Sequence, residues 1–239
     1  MATRKVELVA AASLSSTVRA LTLRCADGQP LGHVAGQWVN VDVPTAAGAI
    51  ARRAYSVASA PAARHGDRFE LAVTRVDAGQ GASQALHALP IGGQLAIDGP
   101  HGFFTREQGR SAPALLVGTG TGVCPLLAML EDELADAQGP ALGLLFGCRS
   151  EQDILFRERL EAWARDCPRF RLWVTLSRPS AGWSGQTGYV QTHLAALLPE
   201  LGRPHVYVCG LTKMVSEVRR VLKEQHGYDR KQIHSERYD

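Results

Sequence analysis

The sequence predicts an N-terminal antiparallel β-barrel followed by an α/β domain with a parallel sheet. Three observations carry this. At 239 residues the chain is long for one compact domain and comfortable for two of about 100–130 residues each. Its first hundred residues alternate apolar and polar side chains in short runs broken by turn signals. Its second half alternates short apolar runs with longer amphipathic ones, the strand–helix rhythm of a parallel sheet covered on both faces.

Val6-Glu7-Leu8 alternates like a strand, and Thr17–Arg24 and Gln37–Val43 do the same over longer runs. Arg53–Ser56, Phe69–Val76 and Gln94–Asp98 complete the set. Turn signals separate them: Asp27-Gly28-Gln29-Pro30, Ala47-Gly48, His65-Gly66-Asp67 and Ile91-Gly92-Gly93. A helix is expected at Ala82–Leu89, with Ser83 near its start. The second half reads as a strand at Ala114–Val117, a Gly/Thr turn and a helix at Leu126–Ala137. A strand at Ala141–Phe146 and a helix at Ile154–Arg165 follow. Then come a strand at Arg171–Leu176, a loop with Gly and Trp, and a helix at Val190–Leu198. A strand at His205–Cys209, a helix at Lys213–Gln225 and a last strand opened by Ile233 close the pattern. The polar segment Arg106–Ala112 is the expected seam, giving domains 1–108 and 109–239.

Composition narrows the function. The 26 Lys+Arg against 23 Asp+Glu leave +3, too even for a nucleic-acid-binding face. With 45% hydrophobic and 21% charged residues the chain is globular rather than disordered. No apolar run approaches the roughly 18 residues of a membrane span. The apolar stretch after Arg4 and Lys5 is broken by Glu7 and reads as strand rather than signal peptide. The cysteines at 25, 124, 148, 167 and 209 are odd in number, scattered and without a C-x-x-C pair. That excludes a disulfide framework, a zinc site and an internal iron–sulfur cluster, and a reducing cytoplasm is the simplest home. His101, His193 and His205 lack metal-ligand spacing, so no metal is expected.

Three short segments carry chemistry. Gly118-Thr119-Gly120-Thr121-Gly122 directly follows an apolar strand. Glycines let backbone approach a ligand closely, and the following helix N-terminus offers free N–H groups and a positive dipole end to a phosphate. Pro125 suits the first turn of that helix. The spacing is not G-x-G-x-x-G, and a tight turn without a ligand has the same composition. Arg53-Ala54-Tyr55-Ser56 places a cation, a ring and a hydroxyl on one strand, with Arg53 and Tyr55 on the same face. An exposed Arg beside a packed Tyr is the plainer reading. Gly79-Gln80-Gly81-Ala82-Ser83 either caps a helix or holds a phosphate at its start. Asp153 is expected to cap the helix that follows it.

Together these segments resemble the ferredoxin–NADP reductase superfamily over nearly the whole chain. The family's R-x-Y-S flavin motif is matched by Arg53-Ala54-Tyr55-Ser56, and its flavin phosphate turn resembles Gly81-Ala82-Ser83. Its G-x-G-F-type segment looks like Pro100-His101-Gly102-Phe103-Phe104. Its pyridine-nucleotide loop is matched by Gly118 to Pro125, and its C-G-x-x-x-M motif by Cys209-Gly210-Leu211-Thr212-Lys213-Met214. Its C-terminal Glu-x-Tyr is matched by Glu236-Arg237-Tyr238, followed here by an acid, Asp239.

The resemblance implies a flavoenzyme that moves a hydride between a nicotinamide and FAD and passes single electrons to a separate ferredoxin or flavodoxin. It implies that Tyr55 packs on the flavin ring, Arg53 faces the flavin phosphates and Ser56 hydrogen-bonds near the hydride-accepting nitrogen. Ser56 and Cys209 would line the transfer gap, Glu236 would stabilise a proton nearby, and Tyr238 would stack where the nicotinamide must enter. Gly210 and Met214 belong to the nucleotide side. Arg149, Ser177 and Arg178 resemble 2′-phosphate contacts, pointing to NADPH, with Arg favoured for bidentate contact. Gln186 stands where a further cation is expected, and Glu151 is a carboxylate that would suit the NADH ribose. The alternatives are an NADH-dependent reductase component of an oxygenase, a flavin reductase, and a non-catalytic flavin-binding regulatory module. A monomer is expected, with no nucleic-acid partner and no membrane insertion.

Overall fold

The computed structural model describes residues 3–45, 48–61, 65–77, 81–106 and 111–238. It divides into two compact units, residues 1–105 with 127–132, and residues 106–126 with 133–239.

The first unit carries β1 (Arg4–Ser13), β2 (Val18–Cys25), β3 (Trp38–Pro44), β4 (Ile50–Ser56), β5 (Arg68–Thr74), α1 (Ala82–Ala88) and β6 (Gln94–His101). The sheet order is β4-β3-β6-β1-β2-β5, with every neighbouring pair antiparallel. The two outer strands meet: Val57 bridges Leu71, and the Ala58 amide donates to the Glu70 carbonyl at 2.8 Å. Closure removes the free edges and makes the expected barrel. Period-two alternation fills it. Val6 and Leu8 of β1, Leu21 and Leu23 of β2, Val39 and Val41 of β3 and Leu71 and Val73 of β5 share one buried cluster. β1 runs well past Val6–Leu8 because β2 pairs its alanines as far as Ser13, with a register shift between Leu8 and Ala10.

The second unit carries β7 (Ala114–Thr119), α2 (Val123–Glu133), β8 (Leu142–Cys148), α3 (Arg157–Asp166) and β9 (Phe170–Leu176). β10 (Gln186–Thr187), α4 (Leu194–Glu200), β11 (His205–Leu211), α5 (Thr212–His226) and β12 (Ile233–Tyr238) follow. The order β10-β9-β8-β7-β11-β12 is parallel throughout. The strands are apolar runs; β8, LGLLFGC, is buried along its whole length, as a strand covered on both faces must be.

Helix starts depart from the sequence reading where local geometry intervenes. α2 begins at Val123 rather than Leu126, because Gly122 ends the turn and Pro125 fits the first helical turn. α3 begins at Arg157 rather than Ile154. Glu151–Asp153 forms a 3₁₀ turn, and Phe156 adopts a left-handed φ of 55°. Asp153 therefore does not cap α3. It accepts from the Ser150 amide (3.0 Å) and hydroxyl (2.7 Å), closing a capping box on the 3₁₀ turn. A 3₁₀ turn at Val190–His193 precedes α4. β10 escapes sequence reading because two residues show no period; it forms by pairing with Thr175–Leu176.

Candidate active site

In the first unit, β4 pairs Tyr55 with Val39, Arg53 with Val41 and Ser56 with Trp38. Directly paired residues share a face, so Arg53 and Tyr55 stand on the side of the barrel-filling valines and Ser56 on the other. Tyr55 is half-buried and packs on the barrel core, and burial pushes its phenol up. Arg53 is exposed and donates to the Arg52 carbonyl at 2.8 Å; Ala54 is exposed and Ser56 buried.

Gly81 stands at the N-cap of α1 with φ +76°, and no side chain caps that helix. The expectation that Ser83 does so is corrected. Its hydroxyl ties back to Val76, accepting from the amide at 3.0 Å and donating to the carbonyl at 3.3 Å. The other end of α1 is held instead. Arg19 Nη1 donates to the carbonyls of Leu86 (3.0 Å), His87 (2.7 Å) and Leu89 (3.0 Å), acceptors that a helix terminus leaves unpaired. The result is a fixed short helix whose start carries no side-chain cap. Gly79 and Gln80 lie outside the described residues. After β6, Gly102 lies against Trp38, Phe103 is wholly exposed and Phe104 is buried.

In the second unit, the chain winds from β7 outward through β8 to β9, then returns to place β11 on the other side of β7. Ligands of open parallel sheets bind beyond the carboxyl ends of strands at such a reversal. Two segments meet there. A Cβ on Gly122 would lie 2.5 Å from the Cys209 carbonyl oxygen and 2.7 Å from Gly210 Cα. One on Gly210 (φ +149°) would lie 2.5 Å from Thr119 Oγ1 and 2.7 Å from Met214 Cε. Only glycines allow this approach of turn to strand. Gly120, at φ +54°, faces open space. Gly118 packs under α2, 2.9 Å from Leu126 at its Cβ position. Thr121 is half-buried between them.

β12 lies parallel to β11, with Cys209 opposite Glu236 and Leu211 opposite Tyr238. Cys209 is fully buried. Burial drives its thiol well above the ordinary range; the Glu236 charge pushes the same way, and a hydrogen bond with Tyr238 opposes both. A neutral thiol, a carboxyl and a phenol thus share one face.

Beyond β8 and β9, the Ser177 amide donates to the Cys148 carbonyl (3.0 Å) and the Arg178 amide to the Arg149 carbonyl (2.7 Å). This continues the strand pairing and brings Arg149, Ser177 and Arg178, all exposed, side by side. Glu151 is taken up by Ser180, whose amide donates to it at 3.0 Å and whose hydroxyl also bonds it. These bonds hold the Glu151 carboxyl below its usual range. Gln186 sits on β10, its Oε1 buried without a hydrogen-bond partner among the described residues.

Supporting residues that the sequence did not single out are Arg19, 63 or more positions from the helix it holds, and the stack of His234 on Tyr207. Neither has a local signal, since only tertiary packing joins Arg19 to the helix end and only strand register joins His234 to Tyr207. Among the described residues no group of His, Cys, Asp and Glu could hold a metal, and no helix is long and apolar enough to cross a membrane.

The sequence model of an oxidoreductase FAD-binding domain matches residues 5–105, and that of an oxidoreductase NAD-binding domain matches residues 116–220. The chain is 48% identical over 241 residues to "Ferredoxin--NADP reductase B" of Sorangium cellulosum (strain So ce56), covering 98% of this chain and 97% of that one. It is 30% identical over 222 residues to the "ferredoxin--NAD(P)(+), reductase component" of naphthalene 1,2-dioxygenase/salicylate 5-hydroxylase systems of Ralstonia sp, covering 92% of this chain and 64% of that relative. The flavohem-like FAD/NAD-binding domain of nitric oxide dioxygenase from Vibrio cholerae O1 biovar El Tor superposes with a TM-score of 0.87 at 23% identity, covering 98% of each chain, and shows the shared fold. Identity of 48% along nearly the whole of both chains, and matches to both domain models in the order barrel then parallel sheet, make the chain a member of the ferredoxin–NADP reductase superfamily, an oxidoreductase with an FAD-binding and an NAD-binding domain.

Proposed function

We propose that this protein takes a hydride from NADPH onto bound FAD and hands electrons one at a time to a separate ferredoxin or flavodoxin. The observation that carries it is the meeting of the glycine bend with Cys209-Gly210 at the sheet reversal, with Arg149 and Arg178 aligned at the neighbouring strand ends. When bound, the flavin supplies the two-electron to one-electron conversion; the protein supplies binding, orientation and electrostatics.

The residues fit these groups. Gly81, Ala82 and Ser83 present an uncapped helix start to a flavin phosphate, with Arg53 as a cation and Tyr55 as a ring surface. Ser56 is the small hydroxyl of the same strand. Gly118, Thr119, Gly120, Thr121 and Gly122 form the bend for a pyrophosphate, with Gly120 open on its outer side and Gly122 packed against Cys209-Gly210; Gly210 and Met214 complete the nucleotide side. Arg149, Ser177 and Arg178 form the 2′-phosphate grip. Cys209 stays a neutral, compact group, Glu236 stands beside it to stabilise a proton nearby, and Tyr238 stacks where the nicotinamide must enter.

The domain division is 1–108 and 109–239; the two family matches end and begin on either side of it, at 105 and 116. Four residues of the seam, 107–110, lie outside the described residues. The protein acts as a cytoplasmic monomer toward its electron carrier. An NADH-dependent oxygenase reductase is the second reading: the Ralstonia relative favours the oxygenase role, and Gln186, where a cation would strengthen the NADPH grip, favours NADH.

Anaerobic titration with each nicotinamide, followed by flavin absorbance, tests this. Bleaching by NADPH and not by NADH is expected, with cytochrome c reduced only when a ferredoxin is added. A colourless protein that cannot be reconstituted with FAD overturns the proposal. Bleaching by NADH alone, with reduction of an oxygenase component, selects the second reading.

A further inference from the structure

β11 and β12 bury their aliphatic face, Val206, Val208 and Ile233, against α5 and α4. Ser235, on that same side of β12, accepts from Arg219 of α5 at 2.8 Å. The opposite face carries a different set. His205, Tyr207 and Cys209 line up on β11, and His234, Glu236 and Tyr238 on β12, with Tyr207 paired to His234 and Cys209 to Glu236. The His234 ring stacks on Tyr207 at 4.4 Å and 12°, and lies at 5.6 Å and 15° from His205. His205 Nδ1 and His234 Nε2 face each other at 3.3 Å. Arg106 lies over the Tyr207 ring at 5.5 Å and pairs with buried Glu133 at 3.1 Å.

We propose that His234 is a positioning residue: its ring, seated on Tyr207 and bonded to His205, registers the last strand so that Glu236 and Tyr238 are held at Cys209. This rests on the functional reading above, in which Glu236, Tyr238 and Cys209 serve the hydride step. β12 is an edge strand, paired on one side only among the described residues. A strand with one neighbour is held by half the ladder of an inner strand, so side-chain ties across that one pairing matter more. Stacked rings opposite one another in paired strands are such a tie.

The hydrogen bond between the rings requires that at least one of the two stay neutral. Two facing ring nitrogens share one proton as donor and acceptor; a second proton sets N–H against N–H. The charged groups around His234 are Arg106, His205, the ionisable Tyr207, Glu133 beyond Arg106, and Glu236 two residues along its own strand. Burial, then His205, then Arg106 all lower the affinity of His234 for a proton. A histidine with a depressed folded pKa contributes its stability above the ordinary value near 6.5 and loses it as pH falls through the folded value. Acid therefore releases the strand end.

The test uses FAD-loaded protein and compares wild type with His234→Ala and His234→Phe. Hydrogen–deuterium exchange of the peptide covering 233–238 is read without nicotinamide between pH 5 and 8. Stopped-flow flavin reduction by NADPH is read over the same range, separating dissociation constant from limiting rate. His234→Ala is expected to speed exchange severalfold. It should lower the limiting rate about tenfold through misplacement of the strand end, with the NADPH dissociation constant little changed. His234→Phe keeps the stack and restores most of both, and removes the acid-side loss of protection expected of wild type, exchange being read relative to the intrinsic amide rate at each pH. The inference is overturned if His234→Ala matches wild type in either exchange or rate, or if His234→Phe is as impaired as His234→Ala. Should NADPH fail to reduce the wild-type flavin at all, the functional reading is what fails, and the exchange arm still decides the positioning role.

Discussion

Gly122→Ala separates close backbone approach from simple turn-making. Gly122 is not in the left-handed region, so alanine meets no backbone strain there, and the added methyl alone carries the effect. It would stand 2.5 Å from the Cys209 carbonyl oxygen and 2.7 Å from both the Cys209 carbonyl carbon and Gly210 Cα, where ordinary contact begins at 3.4 Å. The turn or the strand must move by 3.4 − 2.5, about 0.9 Å, and every atom it meets is backbone in a buried strand. Overpacking of this kind costs about 1–3 kcal/mol. Reduced freedom of the unfolded chain returns about 0.4–1 kcal/mol. A net loss of roughly 1–2 kcal/mol lowers the melting temperature by about 2–8 °C for a chain of this size. A displacement near 1 Å at the site costs on the order of a hundredfold in rate. The assays are thermal unfolding without nucleotide and stopped-flow flavin reduction at saturating NADPH. Gly120→Ala is the contrast: at φ +54° with nothing within 4 Å it incurs about 1–2 kcal/mol of left-handed strain, and its functional loss falls on nucleotide affinity rather than limiting rate. A Gly122→Ala protein with wild-type melting and wild-type rate refutes the close-approach argument.

Three further outcomes are expected. Arg178→Ala raises the Michaelis constant for NADPH on the order of tenfold, the loss of one charge-assisted hydrogen bond, and that for NADH hardly at all; equal effects remove its phosphate role. The buried pair Arg106–Glu133, 3.1 Å apart with side chains 3% and 6% exposed, makes Glu133→Gln costly by about 3–5 kcal/mol in denaturant unfolding, whereas Arg106→Met with Glu133→Leu recovers most of that; a double variant no better than the single contradicts it. His33 is buried, donates from Nε2 to the Ser59 carbonyl at 3.0 Å and leaves Nδ1 without a hydrogen-bond partner among the described residues. Burial lowers its pKa, so its stabilisation is complete above the ordinary value near 6.5 and fades as pH falls below it. Melting measured from pH 8 to 5 should fall less steeply in His33→Gln than in wild type, and parallel curves would discount the residue.

Much of the fold was legible because it rests on short periods. Alternation in TVRALTLR or QWVNVDV needs only the neighbouring residues to show a half-buried strand, and β8 declares its two-sided burial by being apolar throughout. Helix starts were less legible. The first turn of α3 is displaced by a capping box between Ser150 and Asp153 and by the left-handed Phe156, a competition among local hydrogen bonds that apolar spacing does not register. Ser83 shows the same limit at the site, since a hydroxyl at a helix start has several nearby backbone partners and took Val76.

By itself the sequence determined the order of barrel and parallel sheet, the glycine bend, and the residue types offered to a flavin and a nicotinamide, all of which are encoded within a few consecutive positions. The tertiary structure alone decided which of these meet. Strand pairing set Cys209 beside Glu236, aligned Arg178 with Arg149, gave Glu151 to Ser180, and laid His234 on Tyr207. Such partners lie about 25 to 30 residues apart along the chain, and their encounter depends on register, which no local pattern specifies.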